Sequence, residues 1–398
     1  MNREDFPMLK KEIVYFDNGA TTLKPDAVKN AIIDYYENYS ANAHRGDYKI
    51  SMIVDEKYEK TRSKIKEFIN AKEDSEIVFT SGTTDSINLI VNSYFRQHLK
   101  KDDEVLITYS EHASNILPWF VLQQEIGIKV NYIKLDESYE VTLDNVKKAI
   151  TNNTKVISLA HITNVVGDIR PIKQIAKLAH ENNILLVVDA AQSIAHTKVD
   201  VTDMDIDFLA FSAHKIYGPT GIGVMYAKFS LLDEMKPRNY GGGMNAIFTK
   251  DGYIELREVP TRFEAGTPNI EGVIGLSAAI DYVNNIGIDK INKYEQDLKK
   301  YLLEELSKLD FIEVYNKNAK GSSVAFNIKN IFAQDTAVYL DKYNICIRAG
   351  NHCAKILNEA IRVNNTCRIV ISFYNTKEEI DLLINVLKNS KNIWNEIL

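Results

Sequence analysis

The stretch FSAHKIYGPTGIG, residues 211–223, runs from an apolar strand pattern into a lysine, then into a Gly/Pro-rich loop that cannot continue as helix. A lone lysine is usually a solvated surface residue. Lys215 is distinguished by its neighbours: Ser212 and His214 could bind a phosphate while Lys215 reaches an aldehyde to form a Schiff base. In an open α/β sheet such chemistry gathers at the carboxyl ends of strands, so the rest of the chain has to supply those strands.

It supplies EIVFT (76–80), EVLITY (104–109), VNYIKL (130–135), VISLAHI (156–162), LLVVDA (185–190) and FLAFSA (208–213), each followed by polar or small residues. Amphipathic helical patterns such as IKQIAKLAHENN (172–183) lie between several of them. This alternation predicts α/β units around a mostly parallel sheet. In VFTSGTTDSINLI (78–90), Ser81, Gly82, Thr83 and Thr84 stand at a helix N-terminus, where they either cradle a phosphate or simply cap the helix. Asp189 ends a very apolar run, where a carboxylate is costly unless paired. It either caps the next helix or keeps a ring nitrogen protonated, and Gln192 could face the same ligand. A phosphate cradle, an acid and a lysine at strand ends are together the parts that a pyridoxal phosphate enzyme needs.

Residues 270–308 are nearly all helical in pattern, and FIEVYN, GSSVAFNI, ICIRAG and CRIVISF follow, with the helix AQDTAVYLDKY among them and a final helix after. The expectation is a large cofactor-binding domain over 20–270 and a smaller C-terminal α+β domain over 271–398, with residues 1–19 packing against it. A chain of 398 residues with 45% hydrophobic and 26% charged residues suits such a globular protein. The net charge of -6 argues against a nucleic-acid partner, no apolar run is long enough for a membrane span, and MNREDFPMLKKEIVYF resembles no targeting segment. A cytoplasmic protein is expected.

The three cysteines, Cys346, Cys353 and Cys367, match no paired zinc spacing, and no metal site or disulfide is expected. RAGNHCAKIL (348–357) sets Cys353 beside His352 and near Arg348. Taken alone, a free cysteine there is more often buried and structural than nucleophilic.

The ordered stretches YFDNGATTLKP, NAHRGDY, TSGTTDSIN, EHASNILPW, HITNVVG, VDAAQS, FSAHKIYGPTGIG, RFEAGTPN, RAGNHCA and CRIVISFYNT change that balance. Through them the chain resembles, nearly end to end, class V aminotransferase-type enzymes, and specifically the SUF-type group of cysteine desulfurases. The resemblance implies the pyridoxal phosphate transferase fold type I, with a mostly parallel seven-stranded sheet, and pyridoxal 5'-phosphate held covalently on Lys215. It implies that Asp189 pairs with the pyridine nitrogen, that Asn164 and Gln192 contact the phenolic oxygen, and that His112 stacks on the ring and moves protons. Thr84, Ser212 and His214 would hold the phosphate with Thr83 near it, and Thr267 would reach the cofactor of the other subunit of a homodimer. Arg368 would bind the carboxylate of L-cysteine, with Arg348 and His44 also toward the substrate.

The implied reaction yields L-alanine and a persulfide on Cys353, destined for a sulfur-acceptor protein of the SUF system and iron–sulfur cluster assembly. Cys346 and Cys367 read as structural. Asn351 and Ile356 depart from the family, which often has histidine and proline there. Rival readings are a selenocysteine lyase, a cysteine sulfinate desulfinase, another class V aminotransferase, or a non-catalytic sulfur-carrier scaffold.

Overall fold

A computed structural model describes residues 3–43 and 46–390. Its larger sheet has seven strands, in spatial order Ile77–Thr80, Gly223–Ala227, Phe208–Ser212, Leu185–Asp189, Thr154–Ala160, Glu104–Thr108 and Lys129–Ile133. All six strand patterns in the sequence are present. The seventh, Gly223–Ala227, runs antiparallel to both neighbours, and the rest pair in parallel.

Period-two alternation explains why these strands are apolar throughout. Leu106, Ile157, Leu186, Val188 and Leu209 join the core on one face, while Val105, Val156, Val187 and Phe208 join the core on the other. Helices cover both faces. Lys49–Ile69, Ile172–His180 and Ile270–Ile286 pack on the first, with Thr83–Ile90 and Leu117–Ile126 on the second.

The helical stretch after residue 270 is two helices broken at Gly287, whose φ of 92° favours glycine. Ile270–Ile286 belongs to the core of the large sheet, whereas Leu298, Leu302 and Leu306 of Ile288–Ser307 belong to a separate core. The packing therefore changes allegiance within the second helix, since Ile291 still belongs to the core of the large sheet. That second core backs a four-stranded antiparallel sheet in the order Ile312–Tyr315, Ser323–Ile328, Thr366–Val370, Arg348–Gly350. The helix Lys377–Lys388 closes it, opened by a capping box between Thr376 and Glu379.

ICIRAG reads as one strand in the sequence but divides. Ile345–Cys346 pairs in parallel with Val14–Tyr15, while Arg348–Gly350 turns to join Thr366–Val370. The amino-terminal segment is thus tied to the smaller sheet, and Asp17 bridges to Val370. No helix among the described residues is long and apolar enough to cross a membrane.

Candidate active site

Four strands of the larger sheet deliver residues to one cavity of about 190 Å³ at their carboxyl ends, and the helix after the strand Ile77–Thr80 adds Thr83 and Thr84. The strand Glu104–Thr108 leads to His112, Thr154–Ala160 to Asn164, Leu185–Asp189 to Asp189 and Gln192, and Phe208–Ser212 to Ser212, His214 and Lys215. The smaller sheet closes the cavity with Arg348, Cys353 and Arg368. Twelve expected residues are therefore brought together. Thr267 is not among them: it is exposed, and its hydroxyl accepts from Asn42 Nδ2 at 3.3 Å. His44 lies outside the described residues.

The threonine turn packs tightly against the strand Gly223–Ala227. A Cβ on Gly223 would come within 2.4 Å of Gly82 Cα, so only glycine permits this approach. The consequence is that Ser212 reaches the helix N-terminus, where its Oγ accepts from Thr83 N at 2.8 Å and lies 2.7 Å from Thr83 Oγ1. Thr84 Oγ1 lies 2.7 Å from Ser114 Oγ. Ser81 N donates instead to Asp85 Oδ2 at 3.0 Å.

Burial sets the protonation of the central groups. It lowers the Lys215 ammonium to about 8, against the raising effect of Asp189, with Arg368 and Arg348 lowering it further. It raises the Asp189 carboxyl to about 6 although Ala191 N donates to Oδ1 at 2.9 Å. His112 is pushed down to about 4 by burial and then by Lys215 and Arg368, so the imidazole is neutral near pH 7 and its Nδ1 accepts from Ser114 N. His214 is likewise lowered to about 4, chiefly by burial and then by Lys215.

Arg368 is fully buried and has two anchors. Its Nη2 donates to Asp17 Oδ1 at 3.1 Å and its Nη1 to the Asn164 carbonyl at 3.0 Å, while its Nε has no partner among the described residues. Arg348 stands opposite it in the sheet, half exposed, 3.9 Å from Asp17 Oδ2. Asp17 thus sits between two guanidinium groups, a role that nothing within YFDNG announces. Gly19 and Ala20 of the same stretch also line the cavity, and Gln192 Nε2 donates to the Gly19 carbonyl at 2.9 Å.

A second feature that no motif announces lies behind His112. Glu111 and Arg170 form a wholly buried ion pair, with Asn115 Nδ2 and Ala160 N donating to Glu111 Oε2 and Arg170 Nη2 donating to Thr108 and Ser110. This network ties the His112 loop to the strands Glu104–Thr108 and Thr154–Ala160. The signal in the sequence is no more than a glutamate beside the histidine.

Cys353 is exposed, Cys346 half-buried and Cys367 buried, and all three are free. Burial drives the Cys367 thiol up to about 12, and its sulfur donates to the Ala333 carbonyl at 3.3 Å. Cys353 lies in a turn where Ala354 N donates to Asn351 O at 2.8 Å and both central residues, His352 and Cys353, have positive φ, 52° and 56°. Two L-residues in that region cost about 1–2 kcal/mol each. Where proline is common in the family, Ile356 lies in the helix Lys355–Ala360 and packs against the core of the large sheet. Burial and Arg368 lower the His352 imidazole to about 3, so it is neutral and gives the thiolate no charge. Arg348, Arg368 and Lys215 are the cations that line the cavity with it.

The family model described as "Aminotransferase class-V" matches residues 14–383. The chain is 42% identical, over 98% of its own length and 98% of the relative's, to a protein named "Probable cysteine desulfurase" from Halalkalibacterium halodurans. Among solved structures, it resembles the apo form of a cysteine desulfurase from Thermococcus onnurineus NA1, with a TM-score of 0.93 and 38% identity, covering 97% of this chain and 96% of that one. It also resembles the cysteine desulfurase CsdA of Escherichia coli in an S-sulfonic acid form, with a TM-score of 0.93 and 35% identity, covering 98% of each chain.

Proposed function

We propose, on the premise that this chain belongs to the class V aminotransferase family, that it is a pyridoxal 5'-phosphate-dependent cysteine desulfurase. It converts L-cysteine to L-alanine and takes the sulfur as a persulfide on Cys353. One observation carries this reading: a half-buried lysine and an exposed cysteine line the same cavity.

The residues present fit the cofactor. Asn164 Oδ1 is buried on the wall without a partner among the described residues, and Asp189 ends its strand as a buried carboxylate, which a protonated ring nitrogen would stabilise. In this reading Lys215 would hold the cofactor covalently, Asp189 its ring nitrogen, and Asn164 and Gln192 its ring oxygen. Thr83, Thr84, Ser212 and His214 would hold the phosphate, with His112 on the side of the ring. When bound, pyridoxal 5'-phosphate supplies an aldehyde for the substrate amine and an electron-withdrawing ring.

The chain's own groups do the rest. Arg368, kept in place by Asp17 and the Asn164 carbonyl, orients the substrate carboxylate with Arg348 beside it. Lys215, with its ammonium lowered to about 8, can exchange the Cα proton near neutral pH. His112 is neutral and available to take a proton. The Cys353 thiolate attacks the substrate sulfur, so that an S–S bond forms as the Cβ–S bond breaks, and the three-carbon remainder is protonated to alanine.

Finer elements belong to the same reading. The short turn between Gly350 and Lys355 supports the SUF-type group and a protein acceptor that collects the sulfur for iron–sulfur clusters. Thr267, exposed and off its own cavity, suits a homodimer in which it reaches the partner's cofactor, and His44 would join the substrate side. A reducing cytoplasm suits a chain whose action rests on a free thiol. A division into a large and a smaller unit belongs to it too, with the boundary within the helix Ile288–Ser307 instead of the expected 270, since Ile270–Ile286 lies in the core of the large sheet, and with the amino-terminal segment shared, Phe6 and Leu9 on the large core and Val14 and Phe16 on the smaller one.

The test is incubation with L-cysteine and a reductant, measuring alanine and sulfide and locating the persulfide by mass spectrometry. Equal alanine and sulfide are expected, with persulfide on Cys353 and a colourless, inactive Lys215→Ala variant. A Cys353→Ala variant that still desulfurates cysteine, or persulfide found on Cys346 or Cys367, overturns the reading.

A further inference from the structure

The turn carrying Cys353 is built more firmly than presenting a thiol requires. Its hydrogen bond from Ala354 N to Asn351 O and its two positive central φ angles are those of a type I′ turn, whose central positions favour Asn-Gly or Gly-Gly. His352 and Cys353 both carry side chains that oppose this conformation. Within the turn, Asn351 Oδ1 helps further by accepting from Cys353 N at 3.1 Å.

Three other elements hold the turn from outside. Asn164 Nδ2 donates to the His352 carbonyl at 2.8 Å, and Ala113 N donates to the Cys353 carbonyl at 2.8 Å. The His352 ring is buried, with Nε2 2.9 Å from the Thr366 carbonyl and 3.0 Å from the Thr366 hydroxyl. Since the ring is neutral, Nε2 carries the proton and donates to that carbonyl, which anchors the turn to the strand Thr366–Val370. Two of the three anchors adjoin the cofactor wall, because Asn164 lines the cavity and Ala113 follows His112.

We propose that His352 is a positioning residue for the nucleophile: its ring, pinned to Thr366, locks the Asn351–Ala354 turn in its left-handed form and fixes where Cys353 enters the cavity. Asn164 then joins the nucleophile's turn to the wall that receives the cofactor. The inference rests on the reading of Cys353 as sulfur acceptor.

The experiment compares holoenzyme variants His352→Ala and His352→Gln. Misplacing a nucleophile by an ångström is enough to lower its rate about a hundredfold, so His352→Ala is expected to lower kcat by that order while KM for L-cysteine and the cofactor absorbance stay near the parent's. Iodoacetamide, with no substrate present, should alkylate Cys353 faster in that variant, because the released turn samples more orientations. His352→Gln keeps a donor for the Thr366 carbonyl and should restore most of the lost rate. As a separate check on the strain, Cys353→Gly should melt at a higher temperature than Cys353→Ala in cofactor-free protein.

Unchanged kcat and alkylation in His352→Ala overturn the proposal, as do a parallel loss of cofactor absorbance, no rescue by glutamine, or a Cys353→Gly variant no more stable than Cys353→Ala. If Cys353→Ala itself retains desulfuration, the failure lies in the reading of Cys353. If Cys353→Ala is inactive and His352→Ala turns over like the parent, only the positioning role fails.

Discussion

The Asp189→Asn substitution separates what the buried carboxyl costs the fold from what it gives the cofactor. In cofactor-free protein, burial raises the Asp189 pKa from 3.8 to about 6, against the Ala191 N–H and the Lys215 charge. Below pH 3.8 the acid is protonated in folded and unfolded chains alike, and it costs nothing. As pH rises, the unfolded chain ionises first, so stability is lost until the folded acid also ionises near pH 6, and the loss is complete above that. A difference of roughly 2 pH units at about 1.36 kcal/mol each makes the full penalty about 3 kcal/mol.

The amide oxygen introduced by this substitution would keep an acceptor for Ala191 N but carry no charge. Cofactor-free Asp189→Asn should therefore be more stable than the parent by about 1.5 kcal/mol at about pH 5 and about 3 kcal/mol at about pH 8, because the penalty grows with pH. Urea titrations of both proteins, stripped of cofactor, at several pH values across this range read the difference directly. With pyridoxal 5'-phosphate present the order should reverse, since a ring nitrogen then needs the charge. Stability curves for the two proteins that run parallel across the pH range would refute the argument that burial of the charge is the dominant effect.

Lys215 has its ammonium lowered to about 8, so the rate at saturating L-cysteine should climb as pH rises through 8, and a flat profile from about pH 7 to 9 would contradict its role as base. Arg368→Lys removes a planar donor held by Asp17 and Asn164; losing about 1.5–3 kcal/mol of charged hydrogen bonding should lower kcat/KM for L-cysteine by about tenfold to a hundredfold, mostly through KM, in steady-state assays. Arg170→Met leaves Glu111 charged and unpaired in the interior, which should cost about 3–5 kcal/mol in denaturation experiments, and adding Glu111→Gln should recover part of it.

Much of the large sheet is legible in the sequence because its strands are buried on both faces, so each appears as an uninterrupted apolar run with a small or polar terminus. The seventh strand, Gly223–Ala227, is harder to see: it follows the lysine loop directly, with no helix to set it apart. ICIRAG is apolar enough to look like one strand, yet its backbone serves two sheets, a choice made by the pairing partners Val14–Tyr15 and Thr366–Val370. The helix Ile270–Ile286 carries the periodicity of its successor, and only packing gives this helix and Ile291 to the core of the large sheet and Leu298, Leu302 and Leu306 to the smaller one.

For the site, chemistry-bearing residues at strand ends are readable from residue type and position, since lysine, aspartate and histidine stand out after apolar runs. The residues that tune them are not. Asp17 and Arg368 meet across 351 positions of sequence, and nothing local marks either as the other's partner. The same holds for Arg170 against Glu111, a pair defined by a dry interior that forms only once two strands are adjacent. The sequence by itself determined which groups could react and that they would lie at one edge of a parallel sheet, because alternation and burial are local patterns. The tertiary structure alone decided their charge and aim, since desolvation, ion pairing and the left-handed turn at His352 and Cys353 depend on atoms that distant segments bring together.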